Sequence, residues 1–168
     1  WENKPHVHEL YERYWGLSGG GWESWREIVA RYWGYVTMID DLVGRILDEL
    51  EALGLAENTL VIFTTDHGDQ MGAHGLLMKG PPPYEETYRI PLIVRFPDRR
   101  KAGSVRRDTV ELQDLFATVL AMAGLDGAGP HAGQSRDLFA APRSGPTLHA
   151  YDYPRQVLAS FLCSASLT

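Results

Sequence analysis

The sequence predicts an α/β layered domain, on three observations. Thr59 to Thr65 (TLVIFTT) is a continuous run of apolar and β-branched residues and reads as a strand buried on both faces. A long stretch before it carries apolar residues at helical steps, and a second such stretch comes later, each ending on a glycine. The order helix, strand, loop, strand, helix is that of elements stacked in layers around one core.

Residues Trp1 to Trp22 are rich in aromatics and have no regular period, and Gly19, Gly20 and Gly21 separate them from the next segment. Ser24 and Glu27 form a Ser-x-x-Glu capping box, which predicts a helix start. Apolar residues then recur at Ile28, Tyr32, Val36, Ile39, Val43, Ile46, Leu50 and Leu53, and Gly54 stands where a C-terminal cap belongs. At about 1.5 Å per residue this helix is on the order of 45 Å long, enough to cover one face of a sheet. Its acidic pair, Asp40 and Asp41, reads as an exposed helical face rather than a metal site.

Beyond the strand, Gly80-Pro81-Pro82-Pro83 enforces an extended connection. Glu85 and Arg89 are four residues apart and pair on a short helical turn that Pro91 ends. Leu92 to Phe96 (LIVRF) reads as a second strand, closed by Pro97 and Asp98. Leu112 to Ala123 has apolar residues at positions 112, 115, 116, 119, 120 and 123 and is followed by Gly124, a second helix with its cap. From Asp126 the signal fades, and Ala141 to Thr168 fits strand and helix alike and is unassigned.

Asp66, His67 and Gly68 come directly after the strand, at its C-terminal end, where open α/β sheets place their active sites. A loop with Gly72 and Gly75 then leads to His74 and Lys79. Each has a plainer reading: Asp66 as a turn aspartate, His67 as a histidine tied to backbone, Lys79 as a surface lysine. Together, a hard carboxylate, an imidazole and an ammonium suit a divalent cation holding an anionic substrate.

The string DHGDQMGAHGLLMKGPPPYEETYRIPLIVRFP resembles the corresponding segment of the sulfatase family, within the alkaline-phosphatase-like superfamily. Members similarly carry Asp-His-Gly or Asp-Asn-Gly after a strand, a Gly-x-His-Gly loop, a lysine, Tyr-Glu-Glu and Arg-hydrophobic-Pro-Leu-Ile, in that order. The resemblance runs from about Tyr32, through MIDDLVGRILDELEALGL, to about Leu138, where Gly133 to Leu138 resembles the family's Gly-x-Ser-Leu element with two extra residues. It implies a fragment of a three-layer α/β/α sandwich with a mostly parallel central sheet. Residues 1–140 would be a partial catalytic domain and residues 141–168 an unassigned tail.

By the same resemblance, Asp66 and His67 are metal ligands and Lys79 contacts the sulfate or phosphate group of the substrate, stabilising charge in the transition state. His74 has two readings, both open: it donates to the anion or to a leaving-group oxygen as a general acid, or it orients the loop. Asp69, Tyr84, Glu85, Glu86 and Arg89 match family positions as scaffold. The implied activity is that of a metal-dependent sulfuric ester hydrolase acting on a small-molecule or saccharide sulfate ester. Its divalent cation is expected to be calcium, with manganese or zinc as alternatives because imidazole suits them.

A phosphonate or phosphate ester hydrolase of the same superfamily is the second reading. The third is a non-catalytic sulfatase-like interaction domain, with Trp1, Tyr11, Tyr14, Trp15, Trp22 and Trp25 as a binding surface. The joint presence of Asp66, His67 and Lys79 argues against a degenerate site. Sulfatases use a formylglycine nucleophile made from a Cys/Ser-x-Pro-Ser-Arg motif and take further ligand aspartates from earlier strands. Neither is found here, and Cys163, in Cys-Ser-Ala-Ser-Leu, lacks the proline and the arginine. The chain begins at Trp1 and is expected to be the later part of a catalytic domain, inactive alone, since two side chains hold a divalent ion weakly.

Composition agrees with an ordinary domain: 168 residues, 44% hydrophobic and 23% charged, are enough for a real core. A net charge of −6 argues against a nucleic-acid partner. It also supplies no long-range attraction for an anion, so an anion site must rely on local cations. The basic cluster Arg99, Arg100, Lys101, Arg106 and Arg107 reads as a solvated loop. The single cysteine excludes an intrachain disulfide, and no apolar run approaches membrane-spanning length.

Overall fold

A computed structural model of the chain describes residues 2–4, 6–15, 21–80, 82, 84–125 and 138, together with the backbone of strands at 147–153 and 156–162. The chain divides into two compact units, residues 1–100 and 101–168. The class is α/β, as the element order predicts.

The first unit opens with helix α1 (His6–Trp15), in the stretch that the sequence leaves without a period. Helix α2 (Trp22–Ala52) comes next, beginning two residues before the predicted capping box. Gly21 occupies the N-cap and no side chain caps it; Ser24 instead donates its backbone N–H to the Gly21 carbonyl, and Glu27 pairs with Arg31 one turn on. The C-terminus is as expected. Leu53 is the C-cap, Gly54 takes φ +66°, its N–H bonds the Glu51 carbonyl, and the Leu55 N–H reaches back to Leu50. That pair of bonds satisfies two of the orphan carbonyls at a helix end.

The apolar stripe of α2 does not cover a sheet, contrary to its predicted place. Tyr32, Val36, Ile39 and Ile46 are all exposed, Ile46 by 67%. The reason is one of length. The sheet of this unit is a ribbon of two four-residue strands, β1 (Val61–Thr64) and β2 (Leu92–Arg95), roughly 13 Å long, against roughly 46 Å for the helix. The strands run antiparallel, Val61 opposite Arg95 and Thr64 opposite Leu92. β1 is therefore shorter than the 59–65 run and not buried on both faces: Phe63 is 40% exposed, because one two-stranded layer leaves a face open. Between the strands a four-residue helix, α3 (Glu85–Tyr88), carries the expected Glu85–Arg89 pair at 3.0 Å. Pro81 and Pro83 of the predicted extended connection lie outside the described residues.

In the second unit, helix α4 (Asp114–Met122) ends as predicted, on Gly124 with φ +71° and the same pair of capping bonds. Its burial is the reverse of its pattern: Phe116 and Val119 are exposed, whereas Asp114 and Thr118 are fully buried. Thr118 Oγ1 donates to the Asp114 carbonyl at 2.8 Å and accepts the Leu138 N–H at 2.9 Å, so a polar contact turns this face inward. Strands β3 (Thr147–Tyr153) and β4 (Gln156–Leu162), which fall within the unassigned 141–168 segment, pair antiparallel, Tyr153 opposite Gln156. Residues 133–137 of the Gly-x-Ser-Leu-like element, and Cys163, lie outside the described residues. No helix of the described residues is long and apolar enough to cross a membrane.

Candidate active site

β1 delivers Asp66 and His67 to its C-terminal end. Two hydrogen bonds to Asp66 Oδ1, from the His67 N–H at 3.0 Å and from Thr65 Oγ1 at 3.3 Å, fix the carboxylate. Gly68 then passes so close to α3 that a Cβ would stand 1.9 Å from the Glu86 carbonyl oxygen, while its N–H bonds the Thr87 carbonyl at 2.8 Å. Only a residue without a side chain makes that approach.

The loop after Gly68 folds back on itself. Gln70 N–H bonds the Met78 carbonyl and Gly72 N–H the Leu76 carbonyl, both at 2.8 Å. Asp69 caps the start by accepting the Met71 N–H at 2.8 Å. Buried Gln70 donates to Thr87 Oγ1 at 2.7 Å, and Leu76, 2% exposed, anchors the far side. Trp25 of α2 lies against Gly72, where a Cβ would be 3.0 Å from its ring. Met71, His74 and Met78 take φ of 42°, 57° and 61°, left-handed conformations that cost non-glycine residues about 1–3 kcal/mol each and persist only where neighbours impose them.

This return brings Lys79 to His67, with Nζ 2.7 Å from Nε2. His67 Nδ1 lies 2.9 Å from the Gly68 carbonyl, which only accepts, so the ring proton is on Nδ1 and the Nε2 lone pair faces the ammonium. Asp66 Oδ2 is 3.5 Å from the same Nε2. Two lone-pair donors thus converge with no proton between them and a cation beside them. Desolvation pulls the Asp66 carboxyl upward, but coulombic attraction from His67 when its ring carries both protons, with the backbone and Thr65 hydrogen bonds, holds it below its ordinary value. The carboxylate is an anion at neutral pH. Asp66 and His67 offer one anionic and one neutral ligand atom, of the kind that fits a divalent cation, and Lys79 sets an ammonium beside them.

His74 is placed differently from these three. Its ring stacks on Tyr84 at 3.6 Å, its Nε2 lies 3.3 Å from Glu86 Oε2, and its carbonyl accepts from His8 Nε2 at 3.1 Å. Among the described residues, no three or more metal-ligating side chains come together. Asp40 and Asp41 are exposed on α2. Sequence reasoning missed Gln70 and His8, and placed Tyr11 only in an aromatic binding surface, not against the loop. None has a local signal, since each works through a contact made at long range or across the loop.

An α/β scaffold with a carboxylate, an imidazole and an ammonium at a strand end agrees with the resemblance to the alkaline-phosphatase-like superfamily. The sulfatase family model matches residues 3–125, and the chain belongs to the sulfatase family. It is 39% identical over 115 residues to the multifunctional alkaline phosphatase superfamily protein PehA of Trinickia caryophylli, a match spanning 67% of this chain and 22% of that protein. To the N-acetylglucosamine-6-O-sulfatase of Bacteroides thetaiotaomicron it is 36% identical over 112 residues, 66% of this chain and 20% of the other. The solved structure of BT4656 in complex with its substrate D-glucosamine-2-N,6-O-disulfate superposes with a TM-score of 0.61 and 33% identity, over 71% of this chain and 26% of that one. The chain therefore spans about a fifth to a quarter of the length of the relatives it matches.

Proposed function

We propose that this chain contributes part of the active site of a metal-dependent sulfatase that hydrolyses a sulfate monoester to an alcohol and inorganic sulfate. The observation that carries the reading is the meeting of Asp66 Oδ2, His67 Nε2 and Lys79 Nζ at the end of β1. Asp66 and His67 hold the cation, calcium before manganese or zinc, and the bound ion supplies a fixed positive charge that polarises the sulfuryl group. Lys79 holds a sulfuryl oxygen and stabilises the charge that gathers there as the ester bond breaks. His74, stacked on Tyr84 and paired with Glu86, orients the loop in preference to donating a proton. The formylglycine nucleophile and the remaining ligands belong to other parts of the whole protein, so residues 1–168 alone are inactive. On this reading residues 1–140 are part of the catalytic domain and 141–168 carry no assigned role.

A saccharide sulfate ester is the favoured substrate class, because the similar proteins named above include an N-acetylglucosamine-6-O-sulfatase and a structure holding D-glucosamine-2-N,6-O-disulfate as its substrate. A phosphonate or phosphate ester is the second reading, favoured by the similarity to PehA. The test is turnover by the full-length protein of glucosamine 6-sulfate and of a phosphonate monoester, with and without chelator. Chelator-sensitive sulfate release is expected; faster phosphonate cleavage moves the assignment to the second reading, and turnover that survives complete chelation ends the metal assignment.

A further inference from the structure

Helix α1 meets the site loop through two side chains on one face. His8 and Tyr11 are three residues apart and so project side by side. His8 is 1% exposed; its Nε2 donates to the His74 carbonyl at 3.1 Å, and its Nδ1 accepts from the Tyr84 hydroxyl at 3.2 Å. Tyr11 Oη donates to the Lys79 carbonyl at 2.5 Å. Its ring presses on the next residue so closely that a Cβ on Gly80 would stand 2.3 Å away. The two anchored carbonyls bracket the returning arm of the loop, which includes Met78 at φ 61° and starts from His74 at φ 57°. Such backbone keeps its shape only under outside constraint, and α1 supplies it.

We infer that Tyr11, with His8 beside it, is a positioning residue: it fixes the backbone of Lys79 and hence the aim of its ammonium at the anion. The inference rests on the role given to Lys79 above. It does not require Tyr11 to touch substrate. A side chain that acts through Lys79 loses its effect when Lys79 is gone, whereas one that merely supports the fold does not.

The test is a double-mutant cycle in the full-length protein, assayed on a chromogenic aryl sulfate. Tyr11→Phe keeps the ring against Gly80 and removes only the hydroxyl. It is expected to lower kcat by roughly five-fold, the size of one lost hydrogen bond, with KM and metal content unchanged. In a Lys79→Ala background the same substitution is expected to change kcat by less than about two-fold. Amide exchange at Gln70, whose N–H bonds the Met78 carbonyl, should quicken in Tyr11→Phe, a readout independent of turnover. An equal loss in both backgrounds, wild-type kcat in Tyr11→Phe, or unchanged exchange at Gln70 overturns the inference alone. Wild-type turnover in Lys79→Ala overturns the role of Lys79 and the inference with it.

Discussion

The ammonium of Lys79 lies 2.7 Å from Nε2 of His67, twelve residues earlier in the chain. Since the His67 proton is held on Nδ1 by the Gly68 carbonyl, this is a cation facing a lone pair. On the proposed reading a metal ion would take that one lone pair, so the Lys79 ammonium would give it up and turn to the anion. Substitutions at the two positions should separate binding of the ion from handling of the anion.

In the full-length protein, Asp66→Ala is expected to abolish metal-dependent turnover while leaving the fold in place, because the carboxylate is 79% exposed and packs against little. Metal content measured together with turnover checks this. A variant that turns over normally without its metal would refute the ligand role.

Lys79→Ala is expected to lower kcat/KM by roughly 100-fold, the scale of one preorganised charge contact. Metal occupancy should stay near wild type, as a protonated amine has no lone pair to offer. If both activity and metal disappear, Lys79 supports the loop rather than the anion.

His67→Ala is expected to raise the pH at which the Asp66 carboxyl takes up its proton, followed by carboxyl-carbon NMR of the metal-free protein. Coulombic attraction from the doubly protonated His67 ring is one of the influences holding that carboxyl below its ordinary value, and the variant removes it. The sign for stability is then fixed. A depressed carboxyl stabilises the fold above its ordinary pKa, about 3.9, and that contribution fades as pH falls through the lower folded value. The variant should lose less stability over that acid range than the wild type.

Gly68→Ala is expected to destabilise the fold by about 1–3 kcal/mol, since the new methyl meets backbone that cannot rotate away. The midpoint of denaturant unfolding measures it. An unchanged midpoint would mean that α3 moves freely from β1.

Legibility tracked the range of the forces involved. Gly54 and Gly124 end their helices as read, because a capping glycine is a local demand of the backbone. Glu85 and Arg89 pair as read, because four residues in a helix make them neighbours. Asp66, His67 and Lys79 meet within one loop, and their order in the family motif was enough to single them out. The capping box at Ser24 failed because Trp22 and Glu23 already continue the helix, with Gly21 as the cap. Helix α1 escaped notice because its buried contact is a histidine, not an aliphatic stripe. α4 misled for a similar reason: Thr118 and Asp114 turn inward through bonds to the Leu138 N–H and along the helix, which no hydrophobic period records.

The closeness of His67 and Lys79 in the chain has a consequence for the order of assembly. Their contact closes a loop of 12 residues, whereas the bonds from α1 to the same loop span 66 and 68. Closing the longer span costs about 1.5 kcal/mol more in chain entropy, so the local turn forms first and α1 arrives on a loop already made. Contacts made late in folding are also the first to open. A substitution in α1 should therefore leave the folding rate nearly untouched and show itself as faster unfolding, with the cation-facing turn outliving the helix that braces it.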